Sequence, residues 1–379
     1  MENSSKKKPT IAFIGTKGMN FGQDTFGGFE TVVTELAPRL VANGYKITIY
    51  CRKNMYTVRT YPDEIEGVRL RFVGSAETKN LGTLTNSFIS IINAIHEHTE
   101  TVILFNLGLG IFVPLLKLFG IQVITHLDGV EWERSKWGWL AKWMFRFGAY
   151  FNTKFTDILI ADAEEIRRIY LLEYHRDSVM IPYGAEIRSD LNTEYIENVN
   201  LTPDGYYLLV TRFVPENNPL FIIRNYLQSN SQKLLVVLGR NYYSSSYENE
   251  IRRIKDERIK FMGQIADRKH LYEFYRYSFG YIHGHSVGGT NPSMLEALAN
   301  SSCVLALNTP FNREMLSNGK FGLFFDLEST DFIGKINYLD THPEVVQYYK
   351  NRSIDRIKYY YNWDSVTESY LNLFDSIRA

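Results

Sequence analysis

The residues best suited to do chemistry stand together in HGHSVGGTNPSMLEALANSSCVLA, His283 to Ala306. Gly288 and Gly289 let a backbone approach a ligand closely. Thr290 or Asn291 offers an N-cap, and Pro292 suits the first turn of a helix, where a missing N–H costs nothing. Met294, Leu295 and Leu298 follow at helical spacing. A glycine-rich loop feeding a helix N-terminus binds anions, because its N–H groups and the helix dipole both point at the charge. Glu296 follows in the first turn or so, placed to accept from hydroxyls beside that anion. Phosphate plus ribose has both features; the plainer alternative is a tight turn before a helix whose dipole Glu296 steadies.

Such a loop needs a strand to deliver it and a helix to receive it. Apolar β-rich runs alternate with helical patterns along the 379 residues. Strands are expected at 11–15, 46–51, 68–73, 101–105, 122–127 and 157–161, with helices between, the first over 28–43. The stretch 181–205 is polar and turn-rich and reads as a linker. Alternation then resumes with strands at 206–213, 233–239, 259–264, 279–284 and 302–307, and helices near 219–229 and 267–276. A last helical pattern covers 363–377. This is an α/β chain of GT-B architecture, two Rossmann-like domains facing a central cleft. Residues 1–185 form the first domain, joined by the final helix over about 363–379, and 200–362 form the second.

Composition narrows the function classes. Lys plus Arg equals Asp plus Glu at 42 each, so no global field favours nucleic acid. Two distant cysteines, Cys51 and Cys303, exclude a disulfide framework and fit a reducing compartment. The N-terminal MENSSKKKPT leaves no room for a signal peptide's apolar core, and the apolar stretch 102–124 is too interrupted to span a membrane, so a cytoplasmic location is expected. After the first strand comes TKGMNFGQDTFGG, with the wrong spacing for G-x-G-x-x-G, and Cys51-Arg52-Lys53 stands where a ribose-binding acid should end the second strand. Both count against a dinucleotide enzyme. No metal-ligand motif and no serine-hydrolase elbow is present, so neither a metal nor a cofactor is expected.

The first domain repeats the loop-to-helix pattern at Gly27-Gly28-Phe29-Glu30. Gly27 and Gly28 open amides toward a ligand, or only make a turn; Glu30 contacts acceptor hydroxyls, or only the dipole. Lys17 lies in the loop after the first strand, where ligands bind in such sheets. Asp128 follows the strand 122–127 and can orient an acceptor hydroxyl or act as general base. His126 points into the core or into the cleft.

The motifs together resemble the retaining nucleotide-sugar glycosyltransferases of family 4, and within them the bacterial rhamnosyltransferase-like branch. The resemblance rests on IGTKG…FGGFET (14–31), DGVEWERSKWG (128–138), IADAEEIRRIY (160–170), IPYGAE (181–186), VTRFVPENN (210–218), FMGQI (261–265) and HGHSVGGTNPSMLEALA (283–299). It implies a donor nucleotide held mainly by the second domain and an acceptor held mainly by the first. Glu296 matches the second glutamate of the family's paired acids, which grips the donor ribose. Arg212 matches an arginine facing the donor diphosphate, where a rigid guanidinium fork suits phosphate oxygens. Two positions depart from the pattern: Asn217 stands for a lysine, and Gly288 for the first glutamate. Arg212, the amides around Gly289 and Thr290, and Lys17 or Arg240 then neutralise the leaving group. Arg212, Glu296 and Asp128 are the expected catalytic residues. Donor contacts are expected from Gly28, Arg240, Gly263, Gln264, Gly288, Gly289, Thr290 and Asn291, and acceptor contacts from Lys17, Gly27, Glu30 and His126.

The resemblance further implies a dTDP-, UDP- or GDP-sugar donor, dTDP-rhamnose first among them, and a lipid-linked saccharide acceptor. The segment 132–151, WERSKWGWLAKWMFRFGAYF, is dense in tryptophan and phenylalanine, with Lys136, Lys142 and Arg146 between them. It reads as a peripheral contact with an anionic membrane surface, on the inner face of the plasma membrane, or as a helix packed in its own domain.

Overall fold

The computed structural model describes residues 8–21, 27–76, 82–127, 129, 132, 138–239 and 246–378. The chain divides into two compact units. One holds the described residues up to Tyr183 and again from Trp363; the other holds Gly184–Asn362.

In the first unit, the strands are β1 (Thr10–Ile14), β2 (Lys46–Arg52), β3 (Glu64–Ile65), β4 (Val68–Val73), β5 (Thr101–Phe105), β6 (Gln122–Leu127), β7 (Ile158–Ala161) and β8 (Val179–Met180). Their order across the sheet is β3-β4-β2-β1-β5-β6-β7-β8. Only the short β3 runs antiparallel to its neighbour. β5 is buried from end to end, as expected of a strand covered on both faces. From β1 the chain steps outward to β2 and β4, then returns to the other side of β1 for β5. The switch point is therefore the β1/β5 boundary. α1 (Gly28–Ala42) and the C-terminal α14 (Trp363–Arg378) pack together. Tyr45, just past α1, meets Phe374 of α14 at 5.2 Å between rings.

The second unit carries six parallel strands, β9 (Tyr206–Val210), β10 (Leu234–Leu238), β11 (Ile259–Gly263), β12 (Gly280–His283), β13 (Val304–Leu307) and β14 (Leu323–Phe325). Their order is β11-β10-β9-β12-β13-β14, with the switch between β9 and β12. The strand expected over 206–213 stops at Val210. The Val214 N–H bonds back to the Arg212 carbonyl at 2.8 Å, a tight turn that leaves Phe213 buried and Arg212 exposed. Both sheets are Rossmann-like, as the strand–helix alternation predicts. Ligands of such sheets bind beyond the carboxyl ends of the strands, at the switch point.

Candidate active site

At the switch point of the second unit the chain leaves β9 through Thr211-Arg212 and leaves β12 through Gly284-His285. These two loops are tied by hydrogen bonds. Asn218 donates its carboxamide N–H to the Gly284 carbonyl at 2.8 Å, and the Ser286 amide and hydroxyl both donate to the Glu216 carbonyl at 2.9 and 2.7 Å. A Cβ on Gly284 would stand 2.5 Å from the Asn217 carbonyl oxygen, so only glycine permits this approach. Asn217, which the resemblance sets against a lysine, is buried at 1 % exposure. Its side chain donates to the Arg212 carbonyl at 3.2 Å. It braces the main chain beneath the exposed Arg212 side chain.

The loop then runs through Gly288, whose φ of +127° favours glycine and whose missing Cβ would meet nothing within 4 Å. Gly289 is partly exposed and Thr290 is buried. α10 (Pro292–Ala299) begins two residues on. The expectation of open amides at this helix end needs correction. The Asn291 side chain accepts from the Ser293 amide at 3.1 Å and from its hydroxyl at 2.7 Å. The Asn291 N–H goes to the Met315 sulfur at 3.3 Å, and the Met294 and Leu295 amides turn back to the Asn291 carbonyl. Asn291 is therefore a cap and not a side chain directed at the donor. The anion reading then rests on the approach of the Gly288-Gly289 backbone and on the helix dipole.

Glu296 also needs correction: it lies in the second turn of α10, since the helix starts at Pro292. There its carboxylate is 3.7 Å from the Arg268 guanidinium, which belongs to α9 (Arg268–Tyr277). Arg268 was not among the expected residues; nothing local marks a residue brought near only by helix packing. Gly263 and Gln264 sit at the carboxyl end of β11, with Gly263 at φ +71° and its carbonyl accepting from the Gly239 amide at 2.6 Å. Arg240 lies outside the described residues.

Behind the loop runs a buried polar chain that motif reading missed. His283 Nδ1 and the Tyr281 hydroxyl are 3.0 Å apart, Tyr281 reaches Ser293 at 3.0 Å, and Ser293 donates to the capping Asn291. Burial pushes the His283 imidazole down to about 3, so it stays neutral. Its ring stacks on His285 at 4.4 Å.

At the switch point of the first unit, β1 is followed by Gly15, φ +102°, whose Cβ would meet the Phe105 carbonyl oxygen at 2.0 Å. The next loop bends over the start of α1. The Lys17 amide donates to Glu30 Oε1 at 2.8 Å, and the Arg52 amide donates to the Lys17 carbonyl at 3.0 Å. Glu30 is 5 % exposed. Its expected contact with acceptor hydroxyls is thus replaced by an internal tie that holds the loop on the helix. Gly27 precedes α1 without a side-chain cap, and Gly28 opens it. Lys17 is partly buried.

His126, next to last in β6, resolves its two readings in favour of the core. It is fully buried among Phe29, Phe105 and Tyr183, with ring centroids 5.8, 5.4 and 5.5 Å away. Burial pushes the imidazole down to about 4, against a smaller opposing contribution from the Leu127 backbone. Asp128 lies outside the described residues. Asn106, also missed, follows β5 at φ +96° and ψ +118° and accepts from the Gly108 amide at 2.9 Å. Strain of this kind gathers at functional positions; its sequence signal was the Asn-Leu-Gly step at a strand end.

The aromatic segment also needs its bounds corrected. Trp132 is 4 % exposed and packs against Tyr170 and Tyr174. Lys136 lies outside the described residues. The helix is α4 (Trp139–Phe155). Among the described residues, no helix is long and apolar enough to cross a membrane, and no group of three or more His, Cys, Asp or Glu could hold a metal ion.

Residues 193–356, which contain the whole Arg212-to-Glu296 arrangement, match the family described as Glycosyl transferases group 1. Residues 8–186 match a domain of unknown function, DUF1972. No curated protein matches the chain in sequence. Among solved structures, the chain is similar to a sucrose-phosphate synthase from Thermosynechococcus elongatus, with TM-score 0.82 and 17 % identity over 98 % of this chain and 99 % of that one. It is similar to Anabaena HepE in complex with UDP-glucose, with TM-score 0.78 and 14 % identity over 97 % and 100 %. A third is WaaG, a glycosyltransferase involved in lipopolysaccharide biosynthesis, with TM-score 0.71 and 14 % identity over 96 % and 99 %. At these identities the likeness is one of fold: the two Rossmann-like sheets of GT-B glycosyltransferases.

Proposed function

We propose that the chain is a metal-independent, retaining glycosyltransferase that takes its sugar from a nucleotide diphosphate. The group 1 domain binds the donor, and the first unit binds the acceptor. The observation that carries this reading is the placement of Arg212 and the Gly288–Thr290 loop at the carboxyl ends of β9 and β12, on either side of the switch point. Breaking the sugar–phosphate bond leaves negative charge on the departing diphosphate. A preorganised guanidinium, loop amides and a helix dipole stabilise that charge without a proton transfer. Glu296 takes the ribose hydroxyls, with Arg268 positioning its carboxylate.

The motif resemblance supports dTDP-L-rhamnose as donor and a lipid-diphosphate-linked saccharide of surface polysaccharide assembly as acceptor. HepE in complex with UDP-glucose supports a second reading, a UDP- or GDP-hexose donor. A thermal-shift panel of dTDP, UDP, GDP and their sugars, followed by nucleotide release with and without acceptor, separates them. The true donor raises the melting temperature as RT ln(1 + [L]/Kd). Binding without nucleotide release would leave a sugar-binding module and sink the transferase reading.

A further inference from the structure

α4 presents most of its bulky residues to solvent. Its buried residues are Phe145, Gly148, Ala149 and Asn152. Gly148 lies so close to the short turn at 107–112 that an added Cβ would stand 2.4 Å from the Leu107 carbonyl oxygen. Asn152 donates to that same carbonyl at 3.0 Å and accepts from the Thr125 hydroxyl at 3.0 Å. This contact admits only small or hydrogen-bonding residues. The apolar bulk is turned outward instead: Trp139 is 81 % and Trp143 57 % exposed, with Leu140, Phe147 and Tyr150 beside them. Trp143 and Phe147 stack on each other at 5.1 Å. Leu118 and Phe119, at the end of the adjoining α3 (Val113–Leu118), are exposed as well. Single exposed apolar residues need no explanation, but a contiguous set marks an interaction surface.

The charge on this face selects its partner. α4 carries Lys142, Arg146 and Lys154 and no acidic residue, in a chain of net charge zero. Trp139, Trp143, Arg146, Tyr150 and Lys154 follow at three- and four-residue steps, so rings and cations share one face. Indole and phenol rings with polar tips, interleaved with cations, suit the headgroup layer of a bilayer. A symmetric pairing with a second copy would set these cations against themselves.

We propose that the outward face of α4, with the end of α3, docks the first unit on an anionic lipid bilayer. This surface goes beyond sugar transfer and does not depend on it. The test is co-sedimentation of the full chain with vesicles of phosphatidylglycerol and phosphatidylcholine in equal parts, against phosphatidylcholine alone. The wild type should pellet with the anionic vesicles, release at high salt, and shift its tryptophan emission to the blue. Lys142→Gln/Arg146→Gln/Lys154→Gln should weaken binding on the order of a hundredfold. Trp139→Ser/Trp143→Ser should abolish the emission shift, with circular dichroism and nucleotide binding unchanged in both variants. No pelleting, or variants that pellet like wild type, overturns the proposal. So does a wild type that dimerises in sedimentation equilibrium through Trp139 and Trp143 without binding vesicles. Nucleotide binding on the same preparations reports separately on the sugar-transfer reading.

Discussion

Asn217 holds the Arg212 carbonyl at 3.2 Å from a buried position, and so fixes the turn on which the exposed guanidinium stands. The two residues should therefore fail differently. Arg212→Ala is expected to cut transfer by about tenfold or more, the value of a lost charged hydrogen bond, with the melting temperature unchanged. Asn217→Ala is expected to cost about 1 kcal/mol of stability, seen in the urea midpoint. Wild-type kinetics in Arg212→Ala would remove it from the diphosphate site.

Gly284 tests whether the two loops act as one. Its added methyl would meet the Asn217 carbonyl oxygen and Ile222 Cδ1, each at 2.5 Å. Overpacking of this kind costs about 1–3 kcal/mol. Gly284→Ala should lower both the unfolding midpoint and nucleotide affinity in calorimetry. Unchanged affinity in a destabilised variant would show that the 216–218 loop has no part in binding.

Glu296→Gln keeps shape and removes charge. Ribose binding should weaken roughly tenfold, and Arg268→Ala should reproduce part of the loss by freeing the carboxylate from its 3.7 Å neighbour. Steady-state KM for the donor reads both. Transfer should also persist in excess chelator, because Arg212 and loop amides carry the leaving-group charge. Loss in EDTA with rescue by magnesium would overturn that assignment.

Two buried imidazoles set a pH limit. An unfolded histidine titrates near 6.5, whereas burial holds His126 to about 4 and His283 to about 3. Below 6.5 the unfolded chain takes up protons that the folded chain refuses. Stability is thus fully present above that pH and is lost as pH falls toward 4, at about 1 kcal/mol per unit for each histidine. His126→Phe, matched to its cage of Phe29, Phe105 and Tyr183, should flatten the decline in urea midpoint between pH 7 and 5. An unchanged slope would assign the decline to other groups.

The sequence by itself determined the alternation. Runs such as TVILF at 101–105 and QVITHL at 122–127 are too apolar for a half-exposed strand, and their spacing with helical segments leaves little but parallel sheets covered on both faces. The N-cap was legible to within one residue, Thr290 or Asn291, because capping is decided within three residues, and the structure selects Asn291. What depends on distant contacts was not. Glu296 meets Arg268 only because α10 packs beside α9, and His126 is core only because Phe29, Phe105 and Tyr183 converge on it from three other segments. α4 shows the limit most plainly. Its periodicity announces one apolar stripe, and the period is the same whether that stripe meets a core or a bilayer. Only the close approach of Gly148 and Asn152 to the Leu107 carbonyl decides that the small residues turn in and the tryptophans turn out.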